Sequence, residues 1–333
     1  MILHPAIIAL LTGSFLITVI TVYSSYIGLQ IIRWWDIQSG SERQLDLERK
    51  TYLISTILSS VMLFELLSFF LFIYTTDSLH TLFVGSMCAT GTLYVNEYGY
   101  PTLIIKALSC VASSLWLILN YTDNRGYDYP LIKTKYAILQ IITIIIIIEA
   151  YVQFKYFFGL EGDVITSCCG TLFSADAQGI ASEIAALPSN RAMSLFYSIS
   201  IMAVGMNIIF YRTGKGAYLM SALSASFGIV SVVSIISFIS LYFYELPTHH
   251  CPFCLLQANY YFVGYPLYFF LFVGTVTGMG AGIIQPFKKK ESLKKVVPSI
   301  QKSLSLTSCI FMTFFITLST YPIIFYDFKL SGY

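Results

Sequence analysis

Long apolar runs and short polar connections alternate along the whole chain. Eight stretches, over roughly 5–32, 52–76, 100–120, 136–156, 191–211, 218–243, 253–285 and 303–326, are dominated by apolar residues. Each is long enough to cross a bilayer as an α-helix, which needs about 20 residues. The pattern predicts an all-α protein, a polytopic transmembrane helix bundle of about eight spans. The opening MILHPAIIALL has neither the basic stretch nor the small-residue cleavage site of a removable signal peptide, so the first helix is expected to stay.

Composition agrees with the pattern. Of 333 residues, 56% are hydrophobic and 11% charged, which excludes a water-soluble domain of this size. The net charge of +2 gives no argument for an acidic partner, and no nucleic-acid partner or nucleotide-binding loop is expected. The partner that the chain demands is the lipid bilayer. The basic residues then set an orientation. Arg33, Arg43, Arg49 and Lys50, then Arg125, Lys133 and Lys135, then Arg212 and Lys215, then Lys288, Lys289, Lys290, Lys294, Lys295 and Lys302 fall in every second connection. That is 15 of the 19 Lys and Arg. Lys and Arg mark cytoplasmic loops, so both termini are expected outside, on the extracytoplasmic face.

This orientation sorts the reactive side chains. His4, His80, His249 and His250 all fall at the outer face, as do Cys88, Cys168, Cys169, Cys251 and Cys254. Cys110 and Cys309 fall inside spans, where a free thiol packs as a small apolar group. Disulfides persist in the outer compartment.

Three outer stretches carry candidate chemistry. Residues 77–101 hold His80, Met87 and Cys88, with a short surface helix expected over 78–88. Residues 161–190 hold the adjacent Cys168 and Cys169, followed by an amphipathic half-helix over 174–187 that Pro188 ends. The third stretch, Thr248 to Gln257, reads THHCPFCLLQ. The seventh helix is expected to begin near Pro252, because proline suits the first helical turn. Cys251 would then sit at the helix N-cap and Cys254 one turn in, where free N–H groups and the dipole favour a thiolate. His249 and His250 can support that thiolate or shuttle protons. The same residues, with His80 and Cys88, also suit copper or zinc, and two outer histidines suit haem b. No CxxCH occurs, so covalent haem is not expected.

CPFCLLQ at the start of a span resembles the quinone-linked CxxC of the vitamin K epoxide reductase family, and of the bacterial disulfide-bond formation protein B family. The loop TSCCGTLFSADAQG and the following LPSNRAMSLFY resemble the first family's cysteine loop and the opening of its next helix. The resemblance covers about 136–285. It implies one four-helix bundle from spans four to seven, with the loop and motif cysteines at its outer mouth. It also implies thiol–disulfide exchange with a membrane quinone, and a quinone-binding asparagine at Asn190. The family's second loop cysteine has no counterpart near Leu160 or Glu161, so the vicinal pair or Cys88 would substitute. Its tyrosine after CxxC falls on Ala258, with Tyr260 and Tyr261 just beyond. MCATGTLYVNEYGYPTLIIKAL resembles the same loop-to-helix pattern, with Cys88 in the exchange position.

Glu65, Lys106 and Glu149 fall at membrane depth in spans two, three and four. Charges there face a partner or a cavity, so a buried ion pair and a proton path are both open. The chain is expected to divide into a three-span region over 1–135, the four-span bundle over 136–285, and a basic loop with the last span over 286–333. Three functions compete at this point. The first is a thiol–disulfide oxidoreductase linking outer cysteines, and a soluble outer thiol protein, to a quinone. The second is an outer metal or haem binder. The third is a non-catalytic subunit among other membrane subunits.

Overall fold

The apolar runs fold as helices because, in hydrocarbon, every backbone N–H and C=O must be paired within the segment itself. The computed structural model describes residues 3–162, 164, 166, 183–184 and 187–330. Among these there is no strand, and eight helices are long and apolar enough to cross a membrane. They are α1 (Pro5–Trp34), α2 (Glu42–Ser78), α3 (Gly99–Asp123), α4 (Ile132–Phe158), α5 (Ser189–Thr213), α6 (Ala217–Ser234, carried on to Tyr244 by a π-helical and an α-helical turn), α7 (Gly264–Ile283) and α8 (Val296–Phe325). The polytopic all-α architecture is thus present.

Two edges differ from the apolar pattern. The polar segment ERQLDLERK, ahead of the apolar run over 52–76, is the first part of α2. Its apolar side buries Leu47, and Arg43 stacks its guanidinium 3.6 Å from the Trp34 ring. The seventh helix starts at Gly264, not near Pro252. Between Pro252 and Gly264 the chain makes short 3₁₀ turns and passes through left-handed conformations at Tyr261 and Phe262 (φ 55° and 56°), which break helical continuity. Gly264 then packs on the Leu255 backbone so closely that a Cβ would lie 2.9 Å from the Leu255 carbonyl carbon.

The chain forms two compact units. The first comprises residues Met1–Thr76, Leu93–Gly162 and Pro286–Pro298. Antiparallel neighbours are registered by polar pairs. Gln153 of α4 bonds Leu10 O and Ser14 of α1, while Gln140 of α4 bonds Ser25 O. Ser55 of α2 bonds Asn120 of α3, and Trp116 of α3 donates to Lys135 O of α4. The fourth span therefore lies in this unit, against α1 and α3, and not with spans five to seven. Three basic connections gather at one end of the unit. Trp35 packs with Leu47 and Ile132, Lys290 Nζ donates to Pro130 O at 2.6 Å, and Gly126 faces Leu293. Lys135, counted above among the loop charges, is fully buried at that end and pairs with Asp123 at 2.7 Å.

The second unit comprises residues Asp77–Thr92, Asp163–Gln285 and Ser299–Tyr333. Lipid tails are as apolar as leucine, so small residues and hydroxyl bonds hold such helices together. Gly278 and Gly282 of α7 face Ser224 and Ser221 of α6, and Gly228 of α6 faces Thr275 of α7. Ser308 and Gln301 of α8 donate to Gly274 O and Ala281 O of α7. Ser305 of α8 donates to Asn207 O of α5. The core between them is aromatic, with Phe196, Phe227, Phe238 and Phe315 edge to face.

Candidate thiol centre

The site lies within the second unit and is assembled from two loops. One is the segment after α2. Asp77 accepts the Ala89 backbone N–H at 3.2 Å, and Cys88 accepts from Gly91 N at the start of the short helix Ala89–Leu93. The other is the connection between α6 and α7, whose carbonyls are fixed by tyrosines. Tyr244 donates to Cys251 O, and Tyr268 donates to Pro252 O at 2.6 Å. Gln257 ties the two loops together by donating to Met87 O.

The result is three thiols in one buried place. The sulfurs of Cys88, Cys251 and Cys254 all lie within 4.8 Å of one another, and the residues are 0%, 0% and 4% exposed. Cys88 Sγ and Cys251 Sγ are 3.5 Å apart, and the Thr90 hydroxyl is 3.0 Å from Cys251 Sγ. Burial by itself would push the Cys251 thiol up. Hydrogen bonds from Cys254, Cys88, Thr90 and the Phe253 backbone outweigh it and hold Cys251 well below the ordinary thiol range. Cys254, which donates to Cys251 and lies by Cys88, is pushed far up, and its own burial adds to this. One thiolate, at Cys251, is therefore favoured among three thiols.

The cause differs from the one expected. Cys251 is not at the N-cap of a transmembrane helix, and the turn at Cys254–Leu256 is three residues long, so no helix dipole acts there. Side-chain donors replace it.

The histidines stand apart from the sulfurs. His250 Nδ1 bonds Ile236 O at 2.9 Å, in the π-helical turn Ile235–Ile239. The His249 ring meets Tyr244 edge to face at 4.6 Å. Its pKa is lowered by burial and by His250, so it stays neutral rather than supplying a positive charge to the thiolate. His80 Nδ1 contacts Asp77 O. Among the described residues, the group that can close on a metal ion is the three cysteines, with no histidine in it.

Of the other residues singled out by sequence, Tyr260 is half-buried, with its ring 4.5 Å from that of Tyr244. Tyr261 is 92% exposed. Asn190 is exposed in the first turn of α5. Cys168 and Cys169 lie outside the described residues, as does most of the half-helix expected over 174–187. Cys110 is buried in α3 and Cys309 half-buried in α8. Sequence reasoning missed Thr90, Tyr244, Gln257 and Tyr268. A threonine two positions after a cysteine, or a tyrosine at a helix end, has no motif that marks it as a thiol or loop partner.

No family model, no curated protein and no solved structure matches this chain.

Proposed function

We propose that this chain is a membrane thiol–disulfide oxidoreductase, with Cys88, Cys251 and Cys254 as its exchange centre and a membrane quinone as its electron partner. The observation that carries the reading is the buried meeting of a CxxC pair with a third cysteine, 3.5 Å from the favoured thiolate. Exchange proceeds by attack of one sulfur on a bonded pair of others, and three sulfurs within 4.8 Å supply attacker, centre and leaving group. The resemblance of CPFCLLQ and SCCGTLFS to quinone-linked families points the same way.

The Cys88 sulfur, giving up its proton, attacks Cys251 of a Cys251–Cys254 disulfide. The Cys88–Cys251 bond forms, the Cys251–Cys254 bond breaks, and Cys254 leaves as a thiol that has taken the proton from Cys88. An outer dithiol then reduces Cys88–Cys251 and becomes a disulfide. A quinone accepts two electrons and two protons as Cys251 and Cys254 close again, leaving a quinol. The centre faces the outer compartment in this reading, because the basic connections mark the opposite side. Asn190, Tyr260 and Tyr261 are the quinone contacts that the resemblance suggests. Cys168 and Cys169 would pass electrons between Cys88 and a soluble thiol protein.

A second reading rests on the same trio. Three buried thiolates suit a soft ion such as Cu(I), or Zn(II) with a further ligand. Haem b draws nothing from this trio, because among the described residues the cluster contains no histidine.

One experiment separates these readings. Purified Cys254→Ser protein is mapped without reduction, and the wild type is assayed for metal, for absorption and for free thiols before and after a soluble quinone is added. The expected results are a Cys88–Cys251 disulfide in the variant and quinone-dependent loss of two thiols in the wild type. Stoichiometric copper or zinc that is lost on replacing any of the three cysteines, with thiols indifferent to quinone, would replace the oxidoreductase with the metal site.

A further inference from the structure

The first unit holds a second centre that the thiol chemistry does not use. Lys106 on α3 is 0% exposed. Its Nζ lies 2.6 Å from Glu149 Oε1 on α4 and 3.7 Å from Glu65 Oε1 on α2. Both glutamates are buried, at 2% and 1% exposure. Among the described residues, the Cys110 thiol, one turn along α3 from Lys106, is the other titratable group that acts on them. Helix α1, which packs on α4, has no charged side chain between Pro5 and Ile32.

Two carboxyls thus surround one ammonium where water does not reach. If both were ionised, one negative charge would stand uncompensated in a low dielectric, which such sites avoid by binding a proton. Ser109 gives an independent indication. Its hydroxyl lies 3.2 Å from Glu65 Oε1 and 3.1 Å from the Lys106 carbonyl of its own helix, and also contacts Glu149 Oε2. A hydroxyl has one proton to donate and otherwise only accepts. Whether that proton goes to one carboxyl or to the Lys106 carbonyl, Ser109 can bond both carboxyls only if at least one of them is itself a donor, and so protonated. Glu149 has the closer ammonium, so Glu65 is the carboxyl that carries the proton.

Polar steps flank the cluster on both sides. Ser68, one turn along α2 from Glu65, and Ser113, one turn along α3 from Ser109, have buried hydroxyls without a hydrogen-bond partner among the described residues. Because α2 and α3 run antiparallel, the two hydroxyls lie toward opposite ends of the unit. Farther along α3, Asn120 and Asp123 continue the buried polar side to the end where the basic connections gather.

We propose that Glu65, Glu149, Lys106 and Ser109 form a proton-binding site that takes up and releases a single proton within the first unit. The site is distinct from the thiol centre and does not depend on its chemistry.

Infrared spectroscopy of the full-length protein in lipid tests this through the C=O stretch of protonated carboxyls. At neutral pH the wild type should show a carboxylic-acid band that shifts on exchange into D2O and is lost on raising the pH. Glu65→Gln should abolish the band. Glu149→Gln should abolish it as well, because one carboxylate then balances one ammonium. Lys106→Met should double it, since two carboxyls without a cation must both be protonated. If that variant does not fold, the wild type and the two glutamine variants decide alone. A wild type without the band, a band that survives both glutamine changes, or a band that never exchanges with D2O would each overturn the site and leave a static ion pair.

Discussion

Cys88 and Cys251 stand 163 positions apart in the chain, and their sulfurs lie 3.5 Å apart inside the second unit. That contact changes what the CxxC motif can be. A pair of cysteines at one loop is equally consistent with half a metal site and with an isolated disulfide. A third thiol 3.5 Å from Cys251 Sγ, beside a hydroxyl that bonds that sulfur, gathers three sulfurs in one buried place, an arrangement open both to exchange between alternative disulfides and to a soft metal ion. The Gln257 side chain, reaching the Met87 carbonyl, holds the two loops in that register.

Thr90 is the residue that tests this electrostatic arrangement. Its hydroxyl is 3.0 Å from Cys251 Sγ and fully buried. A hydrogen bond to a charged group is worth about 1.5–3 kcal/mol, so Thr90→Val should raise the Cys251 pKa. Alkylation by a membrane-permeant reagent would then need a higher pH, while Thr90→Ser keeps the wild-type profile. An unchanged profile in the valine variant would remove Thr90 from the centre.

His249 predicts an acid sensitivity. Burial and His250 lower its folded pKa, so in the window between that value and the unfolded value of about 6.5 the unfolded chain binds more protons. Stability must then fall as the pH drops through the unfolded pKa, and level off below the folded one. His249→Gln should flatten this acid limb in thermal unfolding measured across pH in detergent. An acid limb equal to wild type would assign the loss to other groups.

Gly278 predicts a packing limit. A Cβ there would lie 2.1 Å from Ser224 Oγ and 2.6 Å from Ser224 Cβ on α6, and 2.8 Å from Ser308 Oγ on α8. Both neighbours are buried, so the helices must part. Overpacking of this kind costs about 1–3 kcal/mol. Gly278→Ala should lower the unfolding temperature, and Gly278→Leu should lower it more. Adding Ser224→Gly to the alanine variant should recover part of the loss, and no recovery would place the strain elsewhere.

Asp123 and Lys135 predict a charge that needs its partner. They pair at 2.7 Å with both side chains fully buried, and Asn120 adds a second acceptor for Lys135 at 3.0 Å. Removing one member of a buried pair costs about 3–5 kcal/mol, because it strands the other charge. Asp123→Asn should therefore destabilise strongly in chemical unfolding. Asp123→Leu combined with Lys135→Met should be far closer to wild type. A double variant as unstable as the single one would show that the pair contributes a specific geometry beyond mutual neutralisation.

The sequence by itself determined the membrane architecture, because the thickness of a bilayer dictates the length of an apolar run and unpaired backbone cannot be left in hydrocarbon. Those constraints act residue by residue and leave a local mark, so eight spans were visible and, among the described residues, eight helices are long and apolar enough to be them. It also showed which side chains had no ordinary place in such a chain: the cysteines between the spans, and Glu65, Lys106 and Glu149. Only the tertiary structure decided how these meet. That α4 packs with α1 and α3, that Cys88 rather than a histidine joins Cys251, and that Lys106 serves two carboxyls at once all depend on which helix faces fit together. Proline at Pro252 suggested a helix start, yet the loop stays irregular to Gly264 because tyrosine hydroxyls and the backbone of Leu255 hold it there. Contacts between residues far apart in the chain arise from packing against partners, and no residue type or spacing records in advance which partner it will be.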